Sequence, residues 1–164
     1  MTGTPGDPRL IDVTVEQPGV VAWSADIEHE RRVAIFDLLE ANYFAPRMAL
    51  PGGYPGPFKL TLAAQESRLV FRLGDTQGNH LESFRLSVTP FRRIIRDYFQ
   101  ICESYFEAIK TAAPSKIEAI DMGRRGVHNE GAELLVDKLS DKVEVDFDTG
   151  RRLFTLVCVL HLKG

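Results

Sequence analysis

The residues best suited to chemistry lie close together in one short stretch of the chain: Asp121, Arg124, Arg125, His128, Asn129 and Glu130. Guanidinium groups bind carboxylates and phosphates through paired hydrogen bonds. Histidine and carboxylate side chains transfer protons near neutral pH. The stretch therefore predicts an anion-binding site, and acid/base catalysis by His128 and Glu130 is a second interpretation.

Glycines interrupt the same stretch, at Gly123, Gly126 and Gly131. Glycine commonly follows the end of a helix, and asparagine commonly begins one. We therefore predict that one helix ends near Gly126 and that Asn129 caps the next. The free amides and positive dipole end of that second helix would then favour an anion beside Arg124 and Arg125.

A structural role for the two arginines is the alternative. Arg124 or Arg125 would then pair with Glu130, Glu133 or acids elsewhere and fix the helix junction, with no ligand involved. The sequence leaves three interpretations of this stretch open: ion pairs that fix the fold, binding of an anionic metabolite or a protein partner, and catalysis on a phosphate or carboxylate ester. It does not decide whether the protein is an enzyme, and it indicates no oligomeric state.

Several common sites have no signature in the sequence. It contains no phosphate-binding glycine loop, zinc-ligand spacing, nucleophile elbow or paired-cysteine redox motif, so we predict no cofactor and no metal. His29, His80 and His161 each stand alone. The net charge of −3 and the pI near 5.8 argue against general nucleic-acid binding.

The two cysteines and the apolar runs indicate where the protein works. Cys102 and Cys158 both fall in apolar surroundings, so we expect reduced, buried thiols. There is no signal region and no apolar run long enough to cross a bilayer. We therefore expect a cytoplasmic protein without membrane association.

A long amphipathic helix over about 89–110 is expected to organise the fold. Thr89 and Pro90 suit a helix start, and apolar residues repeat at helical spacing along one face as far as Ile109. Before it, three alternating runs at 58–62, 68–73 and 83–88 predict an antiparallel meander with one apolar face. We expect the helix to pack on that face.

Other elements surround this unit. We predict an edge strand at 10–15, a helix over 27–44 capped by Ser24 or Asp26, and an irregular loop over 45–57. A short helix begins at Ser115 with Glu118 as its capping-box partner, and a short strand lies within 141–146. The apolar run 153–160 belongs to the core. A helix beginning at Asp146 or Thr149 is favoured there, with a strand as the alternative.

Together these elements predict an α+β fold, in which a central amphipathic helix and further helices pack on one face of a small antiparallel sheet. Residues 1–9 are expected to be a disordered tail and residues 10–164 a single domain. A third functional class, an interaction subunit, would expose an apolar patch around Phe44, Tyr54 and Phe58.

Five stretches carry a resemblance to a known family: 26–31 (DIEHER), 89–99 (TPFRRIIRDYF), 116–126 (KIEAIDMGRRG), 128–131 (HNEG) and 151–156 (RRLFTL). With them, the chain from about Leu10 resembles an uncharacterised family of short bacterial proteins typical of alphaproteobacteria. The resemblance implies no activity and no catalytic residue. Two departures stand out: Gly150 replaces the usual alanine, and the loop near Gly52 and Gly56 is longer than typical.

Overall fold

The computed structural model describes residues 6–16 and 25–161. In this part of the chain the strands are β1 Leu10–Glu16, β2 Phe44–Pro46, β3 Phe58–Gln65, β4 Arg68–Gly74, β5 His80–Ser87 and β6 Val143–Val145. The helices are α1 Ala25–Glu40, α2 Arg92–Thr111, α3 Pro114–Leu139 and α4 Phe147–Leu160. The fold is α+β, as predicted.

The main sheet has four strands in the order β1-β3-β4-β5. Strands β3, β4 and β5 form the predicted antiparallel meander. Strand β1 lies at the edge, as expected, but it runs parallel to β3 and makes the sheet mixed. The reason is topological: the chain between them passes through α1 and β2, and such a long crossover returns the chain in the same direction.

Helix α4 is the most deeply buried helix, rather than the amphipathic α2. Every residue from Leu153 to Leu160 is buried, and α4 contacts α1, α2, α3, β1 and β3. The prediction that this run is a helix of the core is confirmed. Its start is also confirmed, because the Asp146 carboxylate accepts a hydrogen bond from the backbone N of Thr149 at 3.0 Å.

Helix α2 buries the predicted face through Ile94, Ile95, Tyr98 and Cys102. Its start differs from the prediction. A 3₁₀ turn, Thr89–Phe91, precedes it, and no side chain caps the α-helix. Towards its other end the face opens, so that half of the Ile109 side chain is exposed (50%).

The predicted helix over 27–44 ends at Glu40, and Phe44 begins β2. This strand pairs antiparallel with β6, so the expected irregular loop over 45–57 begins within a strand, and the strand predicted within 141–146 is confirmed. Asp26 lies inside α1 rather than capping it, and Ser24 lies outside the described residues.

Phe44, Tyr54 and Phe58 do not form the exposed apolar patch that an interaction subunit would show here. Phe44 and Phe58 are fully buried, with ring centroids 6.4 Å apart, and Tyr54 donates a hydrogen bond to the Pro57 carbonyl at 2.8 Å. These aromatics belong to the core, because β2 turns Phe44 inward. Cys102 and Cys158 are buried as well, as predicted, and burial raises the pKa of Cys102 to about 11.

Part of the predicted tail is hydrogen-bonded to this core. The backbone N of Asp7 donates to the Pro55 carbonyl at 2.9 Å, and that of Phe44 donates to the Pro8 carbonyl at 2.8 Å. Residues 1–5 lie outside the described residues.

Candidate functional site

Helix α3 runs without a break through the stretch that was predicted to be a junction. Asn129 therefore lies in mid-helix and caps nothing, so the predicted anion site at a second helix N-terminus is wrong. The capping box of Ser115 and Glu118 is also not formed. The helix begins one residue earlier, at Pro114, and no side chain caps it.

The glycines explain why the junction was predicted and why it does not occur. A Cβ at Gly131 would lie 2.2 Å from Cζ of Phe154, and one at Gly123 would lie 2.9 Å from Cδ1 of Ile101. These two glycines allow close packing of α3 on α4 and α2. Gly126 has open space around it, and the helix continues through it.

Helical spacing divides the six predicted site residues. Arg124 and Arg125 lie three and four positions after Asp121, and His128 lies four and three positions after these arginines, so the four residues share one face of α3. Glu130 lies on another side, where its carboxylate is 3.8 Å from Arg93 and its side chain is 61% exposed. Because Glu130 points away from the face that carries His128, the two side chains do not form the predicted acid/base pair. Asn129 does not share that face either.

The shared face borders a cleft of about 370 Å³ between α1, α3 and α4, which we call the arginine cleft. Its size is within the range of small-metabolite pockets. The lining residues are Glu30, Val33, Ala34, Asp37, Tyr98, Arg124, Arg125, His128, Arg151, Arg152 and Thr155.

Arg124 is held by acids on two helices. Its Nη2 lies 2.7 Å from Oδ1 of Asp121, and its Nη1 lies 3.3 Å from Oε1 of Glu30 on α1. The guanidinium also stacks over the Tyr105 ring, 4.4 Å from the centroid. The hydrogen bond from Arg124 lowers the pKa of Asp121. These contacts match the structural interpretation of Arg124, because they connect α3 to α1.

Arg125 has a looser setting than Arg124. Its Nη2 lies 2.9 Å from Oδ2 of Asp121, but 70% of its side chain is exposed. Asp121 therefore holds two arginines, and the more exposed one retains solvent-facing donors on the rim of the cleft.

Arg151 and Arg152 also line the cleft, and sequence reasoning did not select them. Nη1 of Arg151 lies 3.6 Å from Asp148, and Nη1 of Arg152 donates to the Ala41 carbonyl at 3.3 Å. Within residues 6–16 and 25–161, Nε of Arg151 is the one buried side-chain nitrogen or oxygen without a hydrogen-bond partner. The one signal in the sequence was the 151–156 stretch, which carries part of the family resemblance but does not by itself indicate a cleft.

His128 forms a hydrogen bond with Thr155 across the cleft, with Nε2 and Oγ1 2.7 Å apart. The Thr155 hydroxyl donates to the Arg151 carbonyl at 3.3 Å, so it accepts from Nε2–H of His128. That tautomer leaves Nδ1 as an acceptor. Burial, with the charges of Arg151 and Arg124, lowers the pKa of His128 to about 4, so the imidazole is neutral at pH 7.

Aromatic contacts fix the orientation of the His128 ring. Its centroid lies 5.4 Å from that of Tyr98 and 5.6 Å from that of Phe154. The Tyr98 hydroxyl lies 3.4 Å from Oε2 of Glu30, the same carboxylate that holds Arg124. Burial raises the pKa of Tyr98, so its phenol stays protonated. The cleft thus combines arginines, a neutral histidine and a tyrosine on fixed helices.

Metal ligation is not indicated in the described ranges, which contain no group of three or more His, Cys, Asp or Glu residues that could hold an ion. None of the helices described there has the length and apolar character to span a membrane.

Comparison with known proteins places this chain in one family. Residues 7–163 match the uncharacterised protein family UPF0262. A UPF0262 protein of Rhizobium etli (strain CIAT 652) is 55% identical over 159 residues, covering 97% of this chain and 98% of its own.

Two further UPF0262 proteins show the same extent of similarity. The protein of Brucella canis is 54% identical over 164 residues and covers 100% of both chains. The protein of Sphingopyxis alaskensis is 52% identical over 156 residues, covering 95% of this chain and 94% of its own. No solved structure matches the chain. The family resemblance predicted from the sequence is confirmed: the chain belongs to the uncharacterised protein family UPF0262.

Proposed function

We propose that the arginine cleft binds a small anionic metabolite, a carboxylate or a phosphate, and that the protein is a cytoplasmic binding or regulatory protein. The observation that carries the proposal is the buried, unpartnered Nε of Arg151. A buried donor without a partner is destabilising, by roughly 1–3 kcal/mol. An anion that accepted this hydrogen bond would remove the cost.

The other arginines of the cleft differ in how many of their donors are already used. Arg124 is occupied by Asp121 and Glu30 and holds the cleft together. Arg152 and Arg125 keep donors that their present partners do not use, since each is a five-donor fork with one short contact. Arg151, Arg152 and Arg125 are therefore the proposed ligand contacts.

His128 supports binding of a ligand that carries a hydroxyl group as well as a negative charge. With Nε2–H directed at Thr155, the neutral ring offers Nδ1 as an acceptor. A hydroxy acid or a sugar phosphate contains both groups. The neutral ring also adds no positive charge, so the arginines supply the charge that attracts the anion.

The arrangement of the family-like stretches also favours this site. Each of the five stretches contributes a lining residue: Glu30, Tyr98, Arg124, His128 and Arg151. They come from four different helices and meet at one cleft. The alternative, an enzyme that uses His128 and Glu130, loses its proton-transfer pair because Glu130 points elsewhere. Binding is therefore favoured over catalysis.

A thermal-shift experiment tests the proposal. Inorganic phosphate, citrate, malate and glycerol 3-phosphate are each titrated into the protein, and at about a hundred times the dissociation constant a true ligand stabilises it by roughly 2.7 kcal/mol. In the double variant Arg151→Gln/Arg152→Gln, we expect this stabilisation to disappear. Arg85→Gln is the control, because Arg85 is exposed on β5 and is not part of the cleft.

The experiment has one outcome that supports the proposal and two that contradict it. A ligand that stabilises the wild type and Arg85→Gln but not the double variant supports the cleft as its site. An equal shift in all three proteins would place the anion elsewhere, and no shift with any of the four anions would favour a protein partner or a structural role for the arginines.

A further inference from the structure

A second depression, of about 780 Å³, lies between the β3–β4 turn, the first half of α2 and the end of α4, and we call it the hairpin groove. Its floor is apolar, formed by Ala64, Val88, Ile95 and Phe99. Ile95 and Val88 are buried, whereas Phe99 is half-buried and presents ring surface. The groove shares no lining residue with the arginine cleft.

Three exposed arginines border this floor: Arg68 from β4, and Arg92 and Arg96 from α2. Among the residues that the structure describes, none of the three makes an ion pair, and Arg92 donates to Oγ of Ser67 at 3.2 Å. The acids on the rim are Glu66 and Glu103. Cations without an ion pair beside an apolar floor are complementary to a ligand with a negative head and an apolar body.

The turn that carries one side of the groove is held in place. Glu66 and Ser67 both have positive φ, of 49° and 62°, a left-handed pair that tight hairpins usually assign to glycine or asparagine. The Ser67 carbonyl accepts from the backbone N of Val88 at 3.0 Å, directly before the 3₁₀ turn that leads into α2. The turn is thus fixed against the start of α2, so Arg68 and Arg92 are positioned before any ligand arrives.

We propose that the hairpin groove binds a small amphipathic organic acid, with its carboxylate on Arg68, Arg92 and Arg96 and its apolar chain along Ile95 and Phe99. The distance along α2 from Arg92 to Phe99 is about 10 Å, which suits a medium-length alkyl or aryl chain. The apolar floor and the net charge of −3 disfavour a nucleic acid in this position. The volume is within the range of ligand pockets.

Octanoate is the probe for this site, and the readout is the amide spectrum of the ¹⁵N-labelled protein. We expect octanoate to shift amides within 64–68 and 92–100 in a saturable manner. The double variant Arg92→Gln/Arg96→Gln should bind at least tenfold more weakly. Both side chains are exposed, so the double variant should fold like the wild type. Its amide spectrum without ligand checks this. Arg85→Gln, on the solvent side of β5, should bind like the wild type.

Octan-1-ol separates the charged head from the chain. The alcohol has the same chain length without the charge, so it should bind at least tenfold more weakly than octanoate. Equal binding of the two compounds, or unchanged binding in the double variant, would overturn the proposal. So would octanoate shifts confined to the arginine cleft.

Two other occupants give different results. If the same amides shift when the protein is diluted without octanoate, a second copy of the chain fills the groove. If an acidic amphipathic peptide shifts them and octanoate does not, the groove serves a protein partner. Either result contradicts the small-acid proposal. If the arginine cleft failed to bind phosphate, the small-acid proposal for the hairpin groove would still stand, because the two sites are tested with different variants and share no lining residue.

Discussion

The two halves of α3 are attached to the rest of the molecule by different interactions. The first half is connected to α1 by charge, through Arg124, Asp121 and Glu30, and it packs on α2 at Gly123, against Ile101; it leaves Met122 67% exposed. The second half is attached by close packing, with Ala132, Leu135 and Leu139 fully buried. Gly131 lies directly against the Phe154 ring of α4.

This difference shows that a glycine in a helix does not identify its own role. Gly126 in the first half meets open space, whereas Gly131 in the second half permits a contact that no other residue would allow. The neighbouring helix decides whether the missing side chain matters, so the two halves should respond differently to the same substitution.

Gly131→Ala should have the largest effect. Its Cβ would fall within 2.5 Å of three ring atoms of Phe154, so α3 must move away from α4 or the ring must leave its position. Overpacking of this kind in a full core is expected to destabilise the protein by about 3 kcal/mol or more. Urea unfolding at equilibrium measures the loss.

Gly126→Ala is the matched control for this change. Alanine has the higher helix propensity and meets nothing within 4 Å at this position, so it should stabilise the protein by about 0.5–1 kcal/mol. Equal destabilisation by the two substitutions would show that the halves of α3 do not differ in packing.

Acid should affect the protein next most strongly, through His128. Its pKa is about 4 in the folded protein, against about 6.5 in an unfolded chain. Between these values the unfolded chain binds a proton that the folded protein does not. The contribution of neutral His128 to the free energy of unfolding is therefore fully present above pH 6.5. As the pH falls towards 4, about 2 to 3 kcal/mol of it is lost.

His128→Asn separates this contribution from other acid effects. The variant cannot take up the proton, so its free energy of unfolding should fall less steeply than that of the wild type between pH 6.5 and 4. Slopes are compared rather than absolute values, because the substitution also removes packing against Phe154. Parallel slopes would mean that His128 titrates normally in the folded protein.

Much of the fold could be predicted because local patterns agreed with packing. The meander followed from alternation in β3, β4 and β5, and α4 followed from an apolar run that begins after a capping Asp146. The parallel pairing of β1 could not be predicted, because alternation fixes the faces of a strand and not its direction. The end of α1 was missed for a related reason. An apolar residue such as Phe44 fits the buried face of a helix as well as that of a strand, so its type does not show where α1 ends and β2 begins.

The residues that line the arginine cleft could be predicted only in part. Asp121, Arg124, Arg125 and His128 do share a face, but for the helical spacing of an unbroken α3 rather than for a junction. Arg151 and Arg152 were missed because nothing local distinguishes an arginine that lines a cleft from a solvated one at a helix start. Only the tertiary fold brings them beside His128, through Thr155.

Arg124→Gln should have the smallest of these destabilising effects and addresses the first half of α3. Removing the guanidinium takes the Arg124 ion pair away from both Glu30 and Asp121, whose side chains are 25% and 19% exposed. Because both retain some solvent and Asp121 keeps Arg125, we expect a loss of about 1–2 kcal/mol, below the cost of a fully buried pair. Arg125→Gln should cost less than about 0.5 kcal/mol, because its side chain is 70% exposed.

A double-mutant cycle with Glu30→Gln then tests whether charge connects α3 to α1. If Glu30 and Arg124 interact directly, the double variant should be more stable than the sum of the single changes predicts, because Arg124→Gln no longer leaves a charged carboxylate unpaired on α1. The coupling should weaken in 1 M salt, whereas the loss from Gly131→Ala should not. A coupling near zero at low salt would show that the Arg124–Glu30 ion pair does not hold α3 to α1, which would leave the stacking of Arg124 on Tyr105 and the packing of Gly123 against Ile101 to hold the first half of α3.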